Sequence, residues 1–232
     1  MRDEVEQPPD AAIAWEGDSK EVISRFPDEV KQNLGFQLRL LQRGEQPIDY
    51  RPMSSVGKEV FDLRDQDARA WYRVIYLSRV RDVIYVLHCF EKKSRETPQK
   101  EINTARQRLK SVKARMIEES DVANGRNRPA HITRGNVLDD LGFAPGQATA
   151  LKFKADLYQA ILKYARKYSQ KELQAILGEP QPRVSELLNG KIANKSVDKL
   201  LYYAGRLGIE AKSRFPQTNK EIVRRELAAA AK

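Results

Sequence analysis

The stretch ARMIEESDVANGRNRPAHITRGN, residues 114–136, places a run of acids and then Asn, Gly, Arg and Pro in the middle of the chain, with hardly an apolar residue among them. Such a composition cannot build core and reads as a connecting segment. The 232 residues are therefore expected to fold as two small cores of about 100 residues each rather than as one. The boundaries this reading sets are a first domain over 1–117, a linker over 118–136 and a second domain over 137–232.

Charge divides at the same place. Residues 1–119 carry 22 Lys+Arg against 21 Asp+Glu, whereas residues 120–232 carry 20 against 11, so nearly all of the net +10 lies in the second half. A surplus of that kind points to a polyanionic partner. Within the first half, residues 58–115 carry 15 bases against 8 acids, which predicts a second basic surface. The sequence holds no apolar run of about 18 residues, and it opens on the acidic, proline-bearing MRDEVEQPPD, so neither a membrane span nor a secretory signal is expected and the chain reads as cytoplasmic. Cys89 is the single cysteine, which excludes an internal disulfide. With only His88 and His131 beside it no zinc spacing can be assembled, and neither a metal nor a cofactor is expected.

From about Ala148 the periodicity is helical, with Leu151, Leu157, Ile161, Leu162 and Ala165 on one face. SQKELQAILGEPQPRVSELLNGK follows. Ser169 is an N-cap with Glu172 three residues on, a capping box, and the helix it opens stops at Gly178. A second short helix starts near Gln181, with Pro182 in its first turn, where a missing N–H costs nothing. Two short helices around a glycine-containing turn make a helix-turn-helix, its angle fixed by Leu173, Ile176, Leu177, Val184, Leu187 and Leu188. In that arrangement the second helix enters the DNA major groove. Gln181, Arg183 and Ser185 are then the side chains aimed at base edges, Gln suiting adenine and Arg guanine. Gln170 and Lys171 open the preceding helix, where free amides favour a backbone phosphate. Lys191, Asn194 and Lys195 follow the recognition helix as further backbone contacts. Ser196 caps a last helix, VDKLLYYAGRLG. The stretch YSQKELQAILGEPQPRVSELLNGKIANKSVDKLLYYAGRLG, with HITRGNVLDDLGF upstream, resembles the XRE class of helix-turn-helix proteins, specifically the HigA-like antitoxins. Pro180 beside Pro182 departs from that pattern and crowds the turn. The resemblance implies binding to operator DNA, and such proteins act as dimers on paired half-sites, so a homodimer is expected. The tail from Ile209 to Lys232 is read as a strand and a helix that add to such an interface.

The first half has a different rhythm. Residues 11–16 are a strand candidate, and residues 19–44 carry two helical stretches broken at Phe26-Pro27. Three strand patterns follow, KEVFDLR (58–64), ARAWYRVIYL (68–77) and RDVIYVLHCFEKK (81–93), joined by connections short enough to make neighbours antiparallel. TPQKEINTARQRLKSVKARM closes the domain with a helix facing inward through Ile102, Ala105 and Leu109. The fold class is thus α+β, a small antiparallel sheet with helices, followed by an all-α domain. Strand alternation puts Asp62 and Arg64 on one side of the first strand and Phe61 and Leu63 on the other. In the second, Arg69, Trp71 and Arg73 oppose Tyr72, Val74 and Tyr76. Arg64 and Arg73 can therefore share a sheet face. Trp71 is there as a base platform or as a plain sheet-face hydrophobe, while Tyr72 and Tyr76 read as core. The third strand runs through His88 into Lys92, Lys93 and Arg95. Cations converging beside aromatic rings suit a phosphodiester, because guanidinium forks match phosphate oxygens and rings stack on bases. His88 has two readings, a core histidine with a satisfied ring or a proton carrier.

GKEVFDLR, WYRVIY and LHCFEKKSRETPQKEINTARQR resemble the HigB group of RelE-type toxins over about residues 11–115. That resemblance implies ribosome-associated, metal-independent cleavage of mRNA, with Arg64, Arg73, Lys92 and Lys93 as the charged residues on the sheet and His88 as a proton donor or acceptor. Toxin and antitoxin would then be joined in one chain, with a tether holding them at an effective concentration of roughly millimolar and the intact chain inhibited. The alternative is a transcription regulator whose first half is an inactive interaction module.

Overall fold

The computed structural model describes residues 10–80, 82–93, 97–118, 128–210 and 223–224. The chain forms two compact units, Met1–Gly142 with Asn189–Ala193, and Phe143–Leu188 with Asn194–Lys232. The expected tail strand and helix, and Arg95, fall outside the described residues apart from Ile209, Glu210, Val223 and Arg224.

The first unit is α+β. Strand β1 (Ala12–Trp15), helices α1 (Ser19–Ser24) and α2 (Asp28–Gln42), strands β2 (Tyr50–Pro52), β3 (Val60–Gln66), β4 (Trp71–Val80) and β5 (Val83–Lys92), helix α3 (Gln99–Glu118) and strand β6 (His131–Thr133) follow in order. The sheet order is β2-β3-β4-β5-β1-β6. All pairings are antiparallel except β1 with β5. β1 is apolar on both faces and nearly unexposed, as an interior strand beside a parallel neighbour must be.

β3 and β4 begin two to three residues later than their apolar patterns, for local reasons. Glu59 takes a left-handed φ of 63°, the one non-glycine to do so among the described residues, and Lys58-Glu59 is spent in a turn. After β3, Asp67 Oδ1 accepts from the backbone N–H groups of Arg69 and Ala70 at 2.8 Å each. That Asx turn delays β4 to Trp71 and sets the register Gln66↔Trp71, Arg64↔Arg73, Asp62↔Ile75. Burial, and then the bond to Asp67, push the Tyr72 phenol up to about 12.

The sheet has helices against both faces. Tyr72 meets Phe26, at the α1–α2 junction, with ring centroids 4.9 Å apart. Ile75, of opposite orientation, joins Val60, Leu77, Phe90, Ala105, Leu109 and Val112 in the core beneath α3, with Met116 packed at its margin. Burying each such side chain is worth about 1.5–3 kcal/mol relative to leaving it in water.

The segment read as a linker is structured at both ends. α3 continues through Glu118, and β6 pairs with β1 in the register Ala14↔Ile132. Trp15 Nε1 donates to Thr133 Oγ1 at 2.8 Å. The buried Gln42 donates to the carbonyls of Ala11 (3.1 Å) and Gly135 (2.8 Å) and accepts from Val137 N–H (3.0 Å). Leu138 and Leu141 fill the space beside Gly35, where a Cβ would stand 2.8 Å and 2.5 Å from them. Residues 131–142 thus belong to the first unit, a correction to the expected boundaries. Three-residue strands carry no periodicity to read, which is why β2 and β6 escape sequence reasoning.

The second unit is helical, with α4 (Pro145–Ala165), α5 (Gln170–Leu177), α6 (Gln181–Leu188) and α7 (Val197–Arg206). Ser169 and Glu172 form the expected capping box, and Gly178 ends α5 in the left-handed conformation at φ 66°. Leu173, Leu177, Val184 and Leu187 are fully buried, while Ile176 and Leu188 lie half-buried at the margin. Tyr158 of α4 donates its hydroxyl to the Leu187 carbonyl at 2.7 Å. Arg206 of α7 donates to the carbonyl of Ile176 at 2.5 Å. The C-terminal turns of α5 and α6 are each held by a side chain that satisfies a terminal carbonyl.

Candidate nucleic-acid sites

β2 stops pairing with β3 at Tyr50↔Leu63, so Arg64, Asp65 and Gln66 run on without a β2 partner. A cleft of about 540 Å³ opens at that edge. Arg51, Arg64, Arg73 and Trp71 line it, with Asn33 and Gln37 of α2, Ile48, Asp49, Asp65, Gln66 and the segment Asn189–Lys191.

Its central feature is an arginine pair on one carboxylate. Arg64 Nε and Arg73 Nη1 both donate to Asp62 Oδ2 at 2.9 Å. Asp62 is 2% exposed and Arg73 9%, so the shared acid fixes two cations that would otherwise repel. Burial holds the Arg73 guanidinium below its ordinary value, while Asp62 pulls the other way. Arg73 Nε and Asp62 Oδ1 have no hydrogen-bond partner. Asp62 takes only Nε of Arg64, leaving the terminal nitrogens of that side chain outside the pair. The Arg64 fork, part-exposed in the cleft lining, is the portion of the pair that can reach a phosphate oxygen. Trp71 is 36% exposed, and the Lys92 ammonium sits 6.0 Å from its ring centroid, so one ring is available beside the cations for stacking.

The other expected residues are placed differently. Lys92 is paired across from Trp71 but is only 4% exposed. Lys93 is exposed, one residue past β5. Neither lines the cleft. His88 does not line it either. Its ring is 7% exposed and stacked on Phe90. Arg108 Nη1 lies 3.1 Å from Nδ1 and Glu101 Oε2 lies 2.6 Å from Nε2. A guanidinium can only donate, so Nδ1 accepts and Nε2–H donates to Glu101. Both ring nitrogens are therefore occupied by α3, the arrangement of a satisfied core histidine.

Sequence reasoning missed Asp62 as the organiser and Arg51 as a further cation. Asp62 was legible, since it alternates with Arg64. Arg51 sits on a strand too short to recognise.

In the second unit Gln170, Lys171, Gln181, Arg183 and Asn194 are exposed. Gln181 Nε2 donates to Gln170 Oε1 at 3.3 Å, which brings the N-termini of α5 and α6 to one surface. Arg183 donates to Glu186 at 3.1 Å and keeps about half of its side chain exposed. Ser185 is half-buried. Lys195 is turned inward, 4% exposed, with its ammonium 2.7 Å from Glu186, so it braces α6 from within. Lys191 belongs to the first unit and is paired with Asp65. Among the described residues no helix is long and apolar enough to cross a membrane.

Residues 21–110 match a family of phage derived proteins described as Gp49-like (DUF891), a match that takes in most of α1, all of α2 and β2–β5 and the first part of α3, and so contains the arginine pair. Residues 137–214 match a helix-turn-helix domain. No curated protein and no solved structure matches the chain. The chain is thus similar to Gp49-like proteins over strands β2–β5 of its sheet and to helix-turn-helix domains over its last helices.

Proposed function

We propose that the chain is a toxin–antitoxin fusion of the cytoplasm: a ribosome-dependent mRNA endoribonuclease of HigB or RelE type joined to a HigA-like antitoxin that binds operator DNA as a homodimer, represses its own operon and keeps the nuclease inhibited. The observation that carries the nuclease reading is the pairing of Arg64 with Arg73 on Asp62 inside a cleft that also presents Trp71.

In the proposed reaction the ribose 2′-hydroxyl gives its proton to water as its oxygen attacks the adjacent phosphorus, and the P–O5′ bond breaks with the 5′-oxygen taking a proton from water, leaving a 2′,3′-cyclic phosphate and a free 5′-hydroxyl. Arg73 and Arg64 take the charge that grows on the non-bridging oxygens, which is where fixed donors in a partly dry site act most strongly. Trp71 supports the neighbouring base. Lys92 and Lys93 contribute to the field around the substrate backbone from outside the cleft. The test is growth inhibition on expression of residues 1–142, which retain β6 and the 135–142 turn. Arrest that disappears with Arg73→Ala supports the reading, and harmless expression of the folded wild-type fragment contradicts it.

A second reading has an observation of its own. His88 is engaged at both ring nitrogens by α3 and lies outside the cleft lining. A first unit that binds RNA or protein without cutting it, attached to a DNA-binding regulator, accommodates that placement directly.

A further inference from the structure

We propose that Asn189–Ala193 is a strap that closes the arginine cleft to single-stranded RNA, so that inhibition of the proposed nuclease is built into the chain by five residues. This rests on the mRNA reading above and adds the device that regulates it.

The segment is part of the first unit and its seat is made for it. Asn33 of α2 donates to Asp65 Oδ2 at 2.9 Å, fixing an amide and a carboxylate side by side. Each of these receives the strap. Asn33 Oδ1 accepts the Ala193 N–H at 3.0 Å, and Asp65 Oδ1 accepts the Lys191 ammonium. Between the two anchors Ile192 is 1% exposed. Gly190 is buried, with a left-handed φ of 73°, and a Cβ there would stand 2.7 Å from both Gln37 Nε2 and Ile48 Cδ1. Gln37 is itself held by the Ile48 N–H at 2.6 Å. Only glycine fits, by conformation and by space.

The seat and the proposed reaction site are the same cleft. Asn189, Gly190 and Lys191 form one wall, and Arg64, Arg73 and Trp71 are among the others. Asp65 follows Arg64 on β3 and faces the other side of the sheet, so the strap borders the cleft from the α2 side of the free β3 edge, across from the arginines. Its anchors include an ion pair, a backbone hydrogen bond and a buried side chain. A strap so held can open, and the apparent RNA affinity is the affinity of the open cleft scaled by the open fraction.

The test uses the full-length protein with Lys191→Ala, and with Gly190→Leu as a second route to release. Two quantities are measured: acrylamide quenching of tryptophan fluorescence, and binding of a fully 2′-O-methylated single-stranded RNA that cannot be cut. Of the two tryptophans, Trp15 is unexposed, so added quenching reports Trp71 at the cleft. The strap predicts increased quenching and RNA binding tighter by about tenfold in both variants, with the gain removed by adding Arg73→Ala. Unchanged quenching and unchanged RNA binding in both variants overturn the strap. Equal, tight, Arg73-dependent binding in wild type and variants overturns the strap while leaving the mRNA reading standing. Increased quenching without RNA binding in any protein supports a strap over the cleft and overturns the mRNA reading instead.

Discussion

Arg64 and Arg73 stand directly opposite each other on β3 and β4 and donate to the same oxygen of Asp62. The pair is stable only because the acid is there. Replacing Asp62 by Ala leaves a largely buried Arg73 without its counter-charge, and breaking such a pair costs about 3–5 kcal/mol. Urea unfolding of the intact protein should show that loss in the first unit, with the helical unit unfolding as before. A loss below about 1 kcal/mol, the scale of a surface ion pair, would show that Asp62 does not hold the arginines together.

β6 and the turn after it close one side of the first unit. A fragment ending at residue 117 loses the Trp15–Thr133 bond, the two Gln42 contacts to Gly135 and Val137, and the leucines over Gly35, and it exposes the edge of β1. Fragment 1–142 should melt cooperatively, whereas 1–117 should melt at lower temperature and aggregate, as an uncovered apolar strand edge does. Matching melting curves for the two fragments would mean that residues 131–142 add nothing to the fold.

Arg183 is the exposed fork near the start of α6. Arg183→Ala should cost about 1–3 kcal/mol of operator affinity and relax preference at one base position, while Lys171→Ala should weaken binding on all sequences alike and reduce its salt dependence. Binding titrations against single-base operator variants at two salt concentrations separate the two. An unchanged preference in Arg183→Ala would move the reading head elsewhere on α6.

Glu186 links α6 to Lys195 and Arg183. The bond from Lys195, opposed by burial and aided by Arg183, holds its carboxyl below the ordinary 4.5. A depressed folded-state value means that the unfolded chain binds the proton first, so the contribution is fully present above the unfolded pKa and is lost as pH falls through the folded one. Thermal melts of the second unit should therefore fall more steeply below about pH 4.5 than those of Glu186→Gln. Parallel slopes would show that the Glu186 carboxylate adds no pH-dependent stability.

The strands carrying the arginine pair, and the helix-turn-helix with its capping box, were legible because each depends on alternation or spacing within a few residues. Arg64 and Arg73 could be placed on one face from parity alone. What could not be read was set by contacts distant in sequence. His88 looked like a candidate proton carrier until Glu101 and Arg108, on a helix beyond the strand, took both ring nitrogens. Lys191 looked like a phosphate contact until Asp65 claimed it. Lys195 reads as a further DNA-backbone contact, but it is buried with its ammonium on Glu186 of α6. The polar stretch before Val137 looked like a linker because three residues of β6 show no period, and the Gln42 contacts that secure the following turn lie far back in α2.

The Arg64–Arg73 pair is proposed to handle a scissile phosphate in mRNA. Primer extension on an actively translated message, with residues 1–142 expressed as wild type and as Arg73→Ala, measures it most directly. New 5′ ends are expected with wild type, reduced by about 10²- to 10³-fold with Arg73→Ala. Cleavage that persists undiminished in the folded Arg73→Ala fragment would contradict it.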